Sequence, residues 1–280
     1  MSNNSINDVI KKIGNKIDIE CKPDDVDIST MTVTCKLNLL FNTVNIGKYI
    51  ELNRNAIVEI APPPPGKIRS LLPKKDTYKK KVKKRFYNQI SLSVVTNRDK
   101  IINTKLFSNG SIQMTGCKSI EGAIEALDKI IIALSKQLAK INYETKKIMD
   151  IQFVSNPSQL SLDKIQNFNV AMINSNFTIG FSIDRAKLFS VICKDKTIDG
   201  SYDPIMHAGV SMKYHDGDRE ISIFVFESGS IVITGARNCK HIKGAYNFVN
   251  KFLLENYMDI VMTETVSDDT LSKYLTNIKI

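Results

Sequence analysis

No stretch of this 280-residue chain approaches the run of about 18 apolar residues that a membrane-spanning helix needs. Its opening segment, MSNNSINDVIKKIGNKI, has no apolar centre of the kind that directs secretion. The expectation is a soluble, intracellular protein with no membrane role. The five cysteines (Cys21, Cys35, Cys117, Cys193, Cys239) are odd in number and never spaced Cys-x-x-Cys. That excludes the usual disulfide frameworks and structural zinc sites, and free thiols in a reducing compartment are expected. His207, His215 and His241 stand among scattered aspartates without metal-ligand spacing. A phosphate-binding glycine loop, a nucleophile beside a base and a paired set of catalytic carboxylates are all missing, so the reading is of a protein that is not an enzyme and uses no cofactor or metal.

A uniformly basic surface is also lacking. The formal charge is +10, but the segment Lys67 to Arg85, KIRSLLPKKDTYKKKVKKR, carries ten Lys or Arg against one Asp. The rest of the chain is therefore close to neutral. Just before this run stand Pro62 to Pro65, which favour extended polyproline II backbone and cannot enter a helix interior or a central strand. The two features together read as an inserted, projecting arm over 54–86, open to phosphate binding, nuclear import or docking to an acidic protein.

What the chain has is a repeat. Phe107 to Gly116 reads FSNGSIQMTG and Phe226 to Gly235 reads FESGSIVITG, with six of ten positions identical at an offset of 119. Each copy has the grammar of a β-hairpin, a run ending in Phe, a polar turn with Gly, and a second alternating run closing at Thr-Gly. A helix follows each: Ile120, Ala123, Ile124, Leu127, Ile130, Ile131 and Leu134 recur at helical spacing, as do Ile242, Ala245, Phe248, Val249 and Phe252. With three more residues of offset, Lys118 aligns with Lys240 and Lys129 with Lys251. The tripeptide Met-Asp-Ile after each helix (149–151 and 258–260) reads as a further mark of duplication.

Upstream, STMTVTCKLNL alternates Met31, Val33, Cys35, Leu37 and Leu39 against polar partners, which predicts a strand with one buried face. A short helix is expected over Ile46 to Leu52. In the second half, Phe168, Val170 and Met172 alternate, and Asp184 is placed to cap a helix beginning at Arg185. NQISLSVV and GVSMKY are the strands that lead into the two hairpins. The expected division is an N-terminal tail at 1–27, a first repeat at 28–145, a linker at 146–164, a second repeat at 165–260 and a C-terminal tail at 261–280. The class is α+β, with antiparallel strands and helices on one face only.

The two hairpins, with IQN at 165–167, closely resemble the TATA-box-binding protein family. The resemblance covers roughly 29–142 and 165–254 and is absent from the tails and the arm. It implies two pseudo-symmetric repeats forming one saddle-shaped, curved antiparallel sheet with helices on the convex face, in a monomer with internal pseudo-two-fold symmetry. It also implies double-stranded, A·T-rich DNA in the minor groove under the concave face, recruitment of a TFIIB-like factor and RNA polymerase, and a setting in a nucleus, viral factory or virion. Phe107 and Phe226 fall where the second phenylalanine of each kinking pair sits. Gln113, Thr115, Val232 and Thr234 fall on concave-face positions. Lys118, Arg237 and Lys213 match phosphate-contacting residues, and Asn167 matches a central asparagine whose first-repeat counterpart is Thr32 or Thr34.

Three departures from the family pattern stand out. At equal spacing before Phe107 and Phe226, the first ring of each pair is replaced by Asn88 and His207. The Gly-Lys of each hairpin is Gly110-Ser111 and Gly229-Ser230. The body outside the arm is near neutral. These departures imply a shallower, asymmetric kink and motivate a second reading, a scaffold that keeps the fold and has lost sequence-specific DNA binding.

Overall fold

The computed structural model describes residues 22–73, 85–97, 101–141, 144–217 and 219–262. These form two compact units, Met31–Ala171 and 172–262 together with 22–30. Residues 1–21 of the expected N-terminal tail and 263–280 of the C-terminal tail lie outside the described residues. Among the described residues, no helix is long and apolar enough to cross a membrane.

In the first unit, β1 (Asp27–Lys36, from Met31 onward), β2 (Ile57–Ala61), β3 (Arg69–Ser70), β4 (Gln89–Val95), β5 (Ile101–Phe107) and β6 (Ser111–Cys117) pair antiparallel in the order β3-β2-β4-β5-β6-β1. In the second, β9 (Gln166–Thr178, from Met172 onward), β10 (Gly200–Ser201), β11 (Val210–Asp216), β12 (Arg219–Val225) and β13 (Ser230–Ala236) pair in the order β10-β11-β12-β13-β9. The period-two pattern decides which face is covered. On β6, Ile112, Met114 and Cys117 are buried, and on β13 Ile231, Ile233 and Ala236 are. The intervening Gln113, Thr115, Val232 and Thr234 stay half-buried on the other face.

The covered face is closed by long helices. α1 (Thr43–Tyr49) is short, and α2 (Ile120–Leu134) packs on β4 and β6. In the second unit α3 (Arg185–Lys194) precedes β10, and α4 (Cys239–Glu255) packs on β11, β12 and β13. Each begins at a side-chain cap that satisfies an otherwise orphaned N–H. Ser119 Oγ accepts the Gly122 amide at 3.1 Å, Asn238 Oδ1 accepts that of His241 at 2.9 Å, and Asp184 Oδ1 accepts from Ala186 and Lys187, both at 3.0 Å. The apolar stripe of α2, from Ile120 through Leu134, is buried throughout, and each such side chain contributes about 1.5–3 kcal/mol of transfer free energy.

Both hairpin turns depend on glycine. Gly110 has φ 87° and Gly229 φ 76°. A Cβ there would lie 2.3 Å from the Leu37 and Leu39 carbonyl oxygens in the first unit and 2.2 Å from that of Phe181 in the second. The space is taken because the loop that leaves β1 or β9 is bonded to the turn: Leu37 N–H donates to Gly110 O at 3.0 Å and Ile179 N–H to Gly229 O at 2.8 Å.

The structure corrects the expected arm in several ways. Residues 57–61 are no interruption, since β2 is a sheet strand on β4 as β10 is on β11. The prolines do not run on as extended backbone: Gly66 N–H donates to Pro63 O at 2.9 Å and closes a turn. Arg69 donates to Gly47 O and Ile50 O at the end of α1, and Arg85 donates to Pro62 O and Gly66 O. Two of the ten basic groups thus fasten the segment to the body, and residues 74–84 lie outside the described residues. The Met-Asp-Ile match has no structural meaning. Its first copy lies in β8 (Ile148–Ile151), which pairs with β7 (Leu138–Ile141), and its second in the short helix α5 (Tyr257–Ile260).

Candidate nucleic-acid interface

The uncovered faces of the two units are built alike. In the first, Thr115 lies opposite Thr32 and Gln113 opposite Thr34. In the second, Thr234 lies opposite Asn174 and Val232 opposite Asn176, with the Thr234 hydroxyl donating to Asn174 Oδ1 at 2.6 Å. The Ser29 hydroxyl donates to Asn176. Thr32 and Thr34 are therefore the counterparts of Asn174 and Asn176, not of Asn167. Asn167 sits at the exposed start of β9 with φ 52°, a left-handed conformation that asparagine tolerates better than most residues.

Sequence reasoning missed Asn174 and Asn176 for a local reason. It ran one alternation through Phe168, Val170 and Met172. The inward row is Val170, then Ile173, Ser175 and Phe177, because the phase shifts where the β13–β9 register slips between Thr234 and Ala236. An equivalent slip lies between Met31 and Thr32 on β1. One unpaired residue sends every later side chain to the other face.

Ladder register also revises the residues before each hairpin. Gln89 pairs with Phe107. Val210 pairs with Val225, which brings Gly209 level with Phe226. Gln89 lies 18 residues before Phe107 and Gly209 lies 17 before Phe226, so the β11–β12 hairpin is one residue shorter and equal spacing in sequence is not equal position in the sheet. The counterpart of His207 is Tyr87, and Asn88 corresponds to Ala208. The Asn88 carbonyl accepts the Ser108 amide at 2.9 Å, and the residue is exposed. Tyr87 is 80% exposed.

The second unit carries an aromatic group that the first does not. The His207 ring lies 4.9 Å from that of Phe224 and 5.9 Å from that of Phe226. His207 Nδ1 lies 3.1 Å from the Gly209 amide nitrogen and 3.2 Å from the Gly209 carbonyl oxygen, so the ring is held by that backbone. Gly209 lies close beneath this group: a Cβ there would stand 3.1 Å from the Phe226 ring, a tight contact. Phe224 was missed by sequence reading. It lies on the open face between Ser222 and Phe226, and the hairpin offset makes its counterpart Lys105.

Cations flank both faces, but in different states. Lys118 and Arg237 are exposed, each just after its Thr-Gly, and the Arg237 amide is taken by His241 Nδ1 at 3.2 Å. Lys213, on the open face of β11, is bound to Glu220 at 2.6 Å and to Ser222 Oγ at 2.9 Å. The Lys213 ammonium holds the Glu220 carboxyl below the usual carboxylate range. Arg185 is paired with Glu227 at 2.5 Å. Burial pushes the thiols of Cys35 and Cys117 up to about 12, which keeps them as unreactive core groups.

Residues 167–256 match the family model described as transcription factor TFIID, or TATA-binding protein. Over 253 residues, 84% of this chain and 67% of the other, the sequence is 34% identical to a TATA-box-binding protein-like protein of Acanthamoeba polyphaga mimivirus. The fold matches that of the Methanococcus jannaschii TATA-binding protein with a TM-score of 0.50 at 17% identity, covering 82% of this chain and 99% of that one. The hairpin repeat, the one-sided helices and this relationship agree: the chain belongs to the TATA-box-binding protein family, as a divergent member with a viral relative.

Proposed function

We propose that this protein binds A·T-rich duplex DNA in the minor groove through the open faces of its two units and acts in transcription initiation, recruiting a TFIIB-like factor and RNA polymerase. The observation that carries this reading is the paired construction of the faces. Each presents a row of small polar or apolar groups, Gln113 and Thr115 in one and Val232 and Thr234 in the other, ending at Phe107 or Phe226 and followed by Lys118 or Arg237. A minor groove of A·T pairs offers only acceptors and a narrow apolar floor, which hydroxyl and amide donors and flat apolar side chains suit. Lys118 and Arg237, both exposed, would supply phosphate contacts.

A second reading rests on the charges. Lys213 is neutralised by Glu220, and Arg185 by Glu227, so the second unit offers less cationic surface than its composition suggests. A protein-docking scaffold would need no more. Fluorescence anisotropy with A·T-rich and G·C-rich duplexes of equal length separates the two. Tighter binding to the A·T-rich duplex that persists as salt is raised is expected for the DNA-binding role. Equal, weak and salt-sensitive binding to both would establish the scaffold.

A further inference from the structure

We infer that the single helical turn before β11, carrying Ile205 and Met206, is the group that the second unit inserts between base pairs. The inference rests on the minor-groove reading above and names the inserting side chains.

Ile205 is 93% exposed and Met206 81%. Isolated exposed apolar residues are ordinary, but these two are adjacent and held in place. The Asp203 carboxylate accepts the amides of Ile205 at 2.9 Å and Met206 at 3.3 Å. The Asp203 carbonyl accepts those of Met206 at 3.1 Å and His207 at 2.9 Å. Behind the turn, Arg185 Nη1 donates to Ala208 O at 2.7 Å. The backbone is thus fixed at both ends while two apolar side chains face solvent, and the one acidic group of the turn is directed onto its own amides.

The turn is continuous with the ring group of the open face, since His207 closes it. The His207 ring is the flat group at this edge, but it is engaged. Its ring lies against Phe224 and Phe226, and Nδ1 is held by the Gly209 backbone. A ring packed in this way forms part of the platform under the bases. The free groups at that edge are Ile205 and Met206. Unbranched and branched aliphatic side chains of this kind are among the wedges that minor-groove proteins drive between base steps. A flexible pyrimidine–purine step is the one that would open most readily.

The test uses the full chain and an A·T-rich duplex in which 2-aminopurine replaces adenine at successive positions, its fluorescence rising where stacking is lost. With the unmodified protein a rise is expected at the step met by the second unit. In the double variant Ile205→Ser, Met206→Ser that rise should disappear and affinity should fall about tenfold at fixed salt. Met206→Leu, with Ile205 retained, should keep both. Because the two side chains lie in solvent, the melting temperature should be unchanged by either variant. Tight A·T-selective binding with the fluorescence rise intact in the double variant would refute the wedge and leave the minor-groove reading standing. An unmodified protein that binds A·T-rich and G·C-rich duplexes alike would refute both.

Discussion

The two hairpins have nearly the same inward row and very different outward ones. Ile112 and Met114 answer to Ile231 and Ile233, and Gly110 to Gly229, each buried or conformationally fixed. On the open side Thr32, Thr34, Gln113 and Lys105 of the first unit have Asn174, Asn176, Val232 and Phe224 as their counterparts in the second. The inward row must fill a close-packed space beneath a helix, where changes of one methylene are felt. The outward row meets no such constraint from the fold and is free to specialise. The difference between the halves is therefore a map of what the interface, rather than the core, requires of each.

The largest effect should come from the shared part. Replacing Gly229 with Ala places a Cβ 2.2 Å from the Phe181 carbonyl oxygen at a positive φ. The hairpin cannot relax without breaking the bond from Ile179 N–H to Gly229 O. A loss of at least about 2 kcal/mol is expected, from left-handed strain plus the lost bond. Gly110→Ala should behave alike, and chemical denaturation of both variants would measure it. If one were tolerated, the halves would differ in their turns as well as in their faces.

Next in size are the rings. Removing Phe226 takes away a partner of His207 and uncovers Phe224, whereas among the described residues Phe107 has no ring against it. Phe226→Ala should weaken binding to an A·T-rich duplex by tenfold or more, and Phe107→Ala by less. Phe224→Ala should fall between them. Equal losses at Phe107 and Phe226 would show that the ring cluster adds nothing to the second half. End-to-end energy transfer on a labelled duplex would report the same asymmetry as unequal bends at the two ends.

Where side-chain period and turn chemistry agree, the fold was legible in the sequence. The strand from Met31, the two long helices, the cap at Asp184 and both glycine turns were read from local pattern, and their physics is local. Legibility failed where one residue is inserted or deleted. The slip on β9 hid Asn174 and Asn176, and the shorter β11–β12 connection set Asn88 where Tyr87 belongs. Spacing along a chain cannot show a bulge, because only the partner strand defines it. The strand β2 went unread for a related reason. Four prolines and a basic run beside it suggested an arm, and the pairing with β4 is a long-range contact.

The smallest expected effect compares the two long helices. Each long helix buries one polar side chain, Asp128 in α2 and Asn250 in α4. Both are buried, and each leaves a side-chain oxygen without a hydrogen bond. Asn250 is a neutral amide whose Nδ2 donates to Tyr246 O at 3.0 Å. Asp128 is a carboxyl, and burial raises its pKa above the ordinary range. A raised folded-state value means that the native protein holds this proton more tightly than the unfolded chain does. The associated stability is therefore full in acid and is lost as pH rises from about 3.9 through the folded value. At pH 7 the buried carboxylate is a liability, and Asp128→Asn should remove it, raising stability by about 1 kcal/mol and the melting temperature by about 2 °C. The gain should shrink toward zero as pH is lowered through the carboxylate range, because a protonated Asp and an Asn have the same shape. The reciprocal variant, Asn250→Asp, should be destabilised at pH 7, since it would set a carboxylate against the Tyr246 carbonyl. Melting curves of the two variants at pH 7 and pH 4 check both signs. A benefit of Asp128→Asn that does not depend on pH would mean that the buried charge is not its cause.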